Sequence, residues 1–201
     1  MSIYEEKPLK EVKMKSDIDR PNMWRECDYG VNVDDSVFYL TGEIDEHSGH
    51  EFIARARTVL LNRPEDKADE PLNVLLDSHG GDAYSMFAII DFMNSLPVPV
   101  NITARGRAMS AGAMLLAAAT GTRAAGKSTA IMVHEGFQIQ SGKASDIKAA
   151  SKHMGRIETM CNDMLEQKTK HDAEWWQENT KTDYYMSADE ALELGLIDEI
   201  V

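Results

Sequence analysis

"LNVLLDSHGGDAYSMFAIIDFMNSLPVPVNIT", residues 72–103, reads as one strand–helix–strand unit. "LNVLLD" is a near-continuous apolar run, as in a strand buried on both faces. "DSHGGD" interrupts it with paired glycines, where a backbone takes positive φ or passes close to something else. "AYSMFAIIDFMNSL" then reads as a helix and "VPVNIT" as a second strand. Strands alternating with helices of this length pair in parallel through crossover helices, the mark of an α/β domain.

The alternation extends in both directions. Upstream, "SVFYLTG" (36–42) is a β-branched and aromatic run closed by Thr-Gly, and it reads as a strand. In "GHEFIARARTVLLNR", Phe52, Ile53, Ala56, Val59 and Leu60 recur at helical spacing, and the polar "EDKADEP" ends the pattern. Downstream, "SAGAMLLAAA" is predicted helical and "AIMVH" a strand. From Ser145 to about Lys170 runs a long helix striped by Ile147, Met154, Ile157, Met160, Cys161, Met164 and Leu165. Packing alone explains such a stripe; a helix this long in a small domain also suits projection onto another subunit. "SADEALELGLIDEIV" opens with a capping box, Ser187 with Glu190, and stops at Gly195.

Composition bounds the function. A chain of 201 residues suits one well-buried domain, expected over 31–201. Residues 1–30 are charged and show no clear period, so they read as an arm, mobile or ordered by a partner. The alternative is a loose segment held down by Met23 and Trp24. Lys and Arg number 21 against 34 Asp and Glu, a net charge of −13. That balance excludes nucleic acid and anionic membranes as main partners, since both require a basic footprint. Two cysteines, Cys27 and Cys161, make neither a disulfide framework nor a zinc site. No apolar run has the length of a signal peptide core or a membrane span, and the expected location is cytoplasmic.

Four short stretches carry possible chemistry. The first is the glycine pair of "DSHGGD", which alone is a turn. It lacks the spacing of a phosphate loop, and "GKS" at 126–128 lacks the upstream glycine. The second is Ser110 in "AMSAG", at a strand-to-helix turn. As a bland residue it caps the helix; as a nucleophile it faces the helix's positive end, where free amides stabilise an oxyanion. The third is His134, closing "AIMV", and the fourth Asp183 in "KTDYYMSADE". Each has an ordinary structural reading by itself. Together they are the types a hydrolytic serine needs: a hydroxyl, a base, and a carboxylate that fixes the base's tautomer. Spacing alone does not show that they converge.

From about Val37 to Val201 the sequence resembles the ClpP family, the proteolytic subunits of the Clp serine proteases. The matching segments are "FYLTGEID", "LLDSHGGD", "GRAMSAGAMLLAAATGTR", "IMVHEG", "GKASDI" and "YYMSADEALELGLIDEIV", in the family's order, over about four fifths of the chain. The resemblance implies a ClpP/crotonase-like repeated β-β-α superhelix with a protruding long-helix handle. It implies Ser110 as nucleophile, His134 as general base and Asp183 as orienting carboxylate. The backbone amides of Gly81 and Ala111 would form the oxyanion hole. It further implies unfolded polypeptide or peptide substrates, a seven-membered ring or double ring, and an AAA+ unfoldase partner. No cofactor or metal is expected.

The sequence also departs from that pattern. His79 stands where the family has proline, and Thr182 where it has a ring-coupling arginine. "EGFQI" after His134 replaces a proline and paired glycines, bringing in bulky Phe137 and Ile139. The arm does not match the family's axial loop. Three other readings therefore stand beside the Clp-type protease: a phage-type protease for capsid or scaffold proteins, a Ser/Lys dyad using Lys127 or Lys143, and an inactive ring subunit.

Overall fold

The computed structural model describes residues 22–201. One eight-stranded sheet organises the chain. Helix α1 (Asn22–Tyr29) leads into the short β1 (Val31–Asn32), which pairs antiparallel with β2 (Val37–Ile44). Helix α2 (Glu46–Asn62) crosses to β3 (Leu72–Gly81), and α3 (Ala83–Ser95) crosses to β4 (Val100–Met109). As the 72–103 stretch predicts, β2, β3 and β4 are parallel neighbours.

β4 divides its pairing. Ile102–Ala104 pair with β5 (Arg123–Ala125), whereas Arg107–Met109 pair with β6 (Ala130–Val133). The break falls at Gly106, whose φ is +76, and where the β3–β4 register also shifts. Asp77 lies 3.4 Å from where a Cβ on Gly106 would stand, and it accepts from Arg107 Nε at 3.2 Å. A bend of this kind re-aims the end of a strand. It carries the tip of β4 and its serine away from β5 and onto β6. The sequence alone predicts this strand over 98–103; in the structure it begins at Val100 and runs on to Met109.

Helix α4 (Ala111–Ala118) follows at once, and every residue in it is buried. An apolar helix without a polar face belongs in a core. Gly112 lets it lie close to β3: a Cβ there would sit 3.2 Å from the Ser78 Cβ and carbonyl. The long helix α5 (Ala144–Lys168) behaves differently. Of its expected stripe only Ile157 and Leu165 are buried, while Ile147 and Met160 are 40% and 52% exposed. Its first six residues are exposed, and contact with the body begins near His153, which stacks on Tyr84. α6 (Ala173–Asn179), β7 (Tyr184–Met186), α7 (Ala188–Leu194) and β8 (Glu199–Ile200) complete the chain. β7 is antiparallel to β6, and β8 adds to β5 in parallel. Arg123 staples this end together: it donates to the carbonyls of Lys168 (2.7 Å) and Gly195 (2.9 Å) and pairs with Asp198.

Residues 1–21, and with them most of the expected arm, lie outside the described residues, as do the contacts of Met23 and Trp24. The last part of that segment is helical rather than without pattern. Glu26 seats α1 by accepting from Tyr39 Oη at 2.6 Å and from Asn32 Nδ2 at 3.1 Å. The fold is the ClpP/crotonase-like α/β architecture, with α5 as its handle. Among the described residues no helix is long and apolar enough to cross a membrane.

Candidate active site

Ser110 sits where β4 turns into α4, and two strands hold it there. Its N–H donates to the Met132 carbonyl of β6 at 2.8 Å, and its own carbonyl accepts the Met114 N–H at 3.1 Å, starting the helix. The backbone takes φ 51° and ψ −122°, left-handed for a non-glycine residue. Such conformations cost energy and persist only where the surroundings enforce them. Here the backbone bonds to Met132 and Met114 hold it, and Gly80, at φ +99°, makes room for it: a Cβ there would stand 2.6 Å from the Ser110 Cβ and 2.8 Å from the Met109 carbonyl. Ser78, fully buried beneath, fixes this loop. It donates to the Gly42 carbonyl at 2.6 Å and accepts the Gly80 N–H at 3.0 Å.

The capping role expected of Ser110 is not what its side chain does. It occupies the cap position but makes no capping hydrogen bond. A cap needs extended backbone angles to reach the second or third amide, and positive φ turns the hydroxyl elsewhere. Ser110 Oγ instead lies 2.8 Å from His134 Nε2. His134 follows β6 directly and is half-buried; the next residue is anchored by Glu135 N–H donating to the Thr180 carbonyl at 2.7 Å. Antiparallel pairing of Val133 with Tyr184 brings Asp183 alongside. Its Oδ1 stands 3.6 Å from His134 Nδ1, longer than a hydrogen bond. Tyr185 Oη donates to Asp183 Oδ2 at 3.3 Å. The three residues singled out in the sequence thus meet at one place.

Ala111 is the first residue of α4, so its N–H has no acceptor within the helix. Gly81 closes β3 and faces the same opening. That opening is a cleft of about 820 Å³ between the strand tips, α3 and α5. Ser110 and His134 line it, with Met114, Ile157, Cys161 and Leu165 as apolar surface. His79 and Phe137 lie on its exposed edge, and Phe137 and Ile139 are 77% and 83% exposed. Lys127 and Lys143, the possible partners of a Ser/Lys dyad, do not line it. Burial, assisted by Glu158, pushes the Cys161 thiol up to about 11, so it stays protonated and is no nucleophile at neutral pH. Among the described residues no group of three or more His, Cys, Asp or Glu could hold a metal ion.

Several contributors carry no sequence signal. Ser78 and Thr180 act through backbone groups remote in the chain, and Gly106 lies against the Asp77 carboxylate of another strand; each is an ordinary residue in its own neighbourhood.

A polarised pair of serine and histidine at a strand-to-helix turn, beside an apolar cleft, can attack an acyl carbon and take up the proton released. That is the chemistry of a hydrolase on an α/β scaffold. The family model described as Clp protease matches residues 25–201, and the chain belongs to that family of peptidases.

Proposed function

We propose that the protein is a serine endopeptidase that hydrolyses unfolded polypeptides or peptides with Ser110, His134 and Asp183. Ser110 Oγ attacks the scissile carbonyl as His134 Nε2 takes its proton. The N–H groups of Gly81 and Ala111 hold the oxyanion, and His134 then protonates the leaving amine. Asp183 orients the imidazole and balances its transient charge. Water, deprotonated by His134, releases the acyl group from Ser110. The observation that carries this reading is the 2.8 Å contact between Ser110 Oγ and His134 Nε2, made from a strained serine backbone.

Family membership supports an assembly of several subunits acting on polypeptides. In the proposed form they make a seven-membered ring or double ring, enclose the sites in a chamber and take substrate from an AAA+ unfoldase. Intact-mass measurement after fluorophosphonate treatment tests the chemistry. One adduct per chain, absent from Ser110→Ala, is the expected result; no adduct on folded, assembled protein would identify an inactive subunit instead.

A further inference from the structure

The cleft beside Ser110 has two unlike walls. Met114, Ile157 and Leu165 supply apolar surface, whereas Glu135 and Glu158 bring two carboxylates to the same space. Glu158 lies beside the segment that leaves His134: a Cβ on Gly136, two residues after it, would lie 3.7 Å from the Glu158 Oε1 and 3.4 Å from the Met154 Sδ. Among the described residues neither carboxylate forms an ion pair. Lys181, which also borders the cleft, is taken by Glu178 at 2.7 Å through both oxygens. Tyr84 and His153 occupy each other, Oη to Nε2 at 2.8 Å.

Burial, together with the charge of Glu135, raises the Glu158 carboxyl above its ordinary value. Two carboxylates brought together without a cation repel, and a positive group entering between them relieves both. An aliphatic stem ending in a cation matches an apolar wall with a charged rim, because such side chains bury the stem and keep the head polar.

The geometry points to a lysine or arginine side chain, on the substrate residue that supplies the scissile carbonyl, as the group this cleft accepts, its stem along Met114, Ile157 and Leu165 and its cation at Glu135 and Glu158. This rests on the serine peptidase reading and names the substrate class of that site.

Peptidyl diphenyl phosphonates that differ only in carrying lysine or norleucine, the same four-carbon stem without the ammonium group, at that position test it. The readout is the rate of Ser110 modification in the full chain, followed by intact mass. The lysine probe should react about tenfold faster, the order of one close charge pair. High salt should shrink that ratio without any mutation. Glu135→Gln with Glu158→Gln should bring the ratio close to one, and Glu158→Lys should favour norleucine. Equal rates in the natural sequence, or a lysine preference that survives the double substitution, would overturn the inference. Ser110 untouched by a simple fluorophosphonate as well would instead mean that the peptidase reading itself has failed.

Discussion

Ser110 is one of two non-glycine residues with positive φ among the described ones, the other being Ser36. Strain of this kind costs about 1–3 kcal/mol. Here it aims a hydroxyl at His134 instead of at the helix amides. Gly80→Ala should therefore damage stability and reactivity together. Its Cβ would meet Ser110 and the Met109 carbonyl, overpacking that costs about 1–3 kcal/mol. A urea titration should show that loss, and fluorophosphonate labelling of Ser110 should fall to background. Asp183→Asn should also slow labelling, but by less than the ~10⁴-fold seen where the carboxylate is buried and hydrogen-bonded. At 3.6 Å and 52% exposed, the Asp183 carboxylate holds the imidazole more loosely. Labelling rates of the variant and the natural sequence check this. The type of residue 110 was legible in "AMSAG"; its backbone angles were not, since they need a bond to Met132 and the room left by Gly80, both on other strands.

Helix ends show how much a local pattern decides. The box of Ser187 and Glu190 and the left-handed Gly195, at φ 76°, are formed as the sequence predicts. All the groups involved lie within one or two turns of each other. Ser187→Ala should cost about 1 kcal/mol, measured as a lower urea midpoint. The stripe on α5 was a poorer guide. Periodicity reports which residues share a face, but not whether anything covers that face, and only Ile157 and Leu165 of the stripe are buried. The C-terminal strand depends on a pairing that the sequence does not advertise. Arg123, by its hydrogen bond, holds the Asp198 carboxyl below its ordinary value of 3.8. A carboxyl depressed in the folded state adds stability that is complete above its unfolded value and lost as pH falls through the folded one. The natural sequence should thus lose stability more steeply than Asp198→Asn once pH drops below 3.8. Urea midpoints at neutral and acid pH decide this.

In the whole molecule, the most exposed large apolar side chains include Phe137 and Ile139, on the segment between His134 and α5, with Met160 exposed further along that helix. Neighbouring apolar exposure on this scale is usual where a subunit meets another. Sedimentation should show an assembly of several subunits, and Ile139→Asp with Phe137→Asp should shift it to smaller species. The sequence by itself determined what depends on near neighbours: the alternation of strands and helices, the parallel pairing of β2, β3 and β4, the capping of α7, and the presence of a hydroxyl, an imidazole and a carboxylate of the right types. Only the tertiary structure decided the bend at Gly106, the β6–β7 pairing that brings Asp183 to His134, the strain on Ser110 and the crowding of Glu158. Helical and strand periods arise from contacts a few residues apart, so they are written into short windows. Strain and desolvation are set by groups distant in the chain, and exist only once those groups have met.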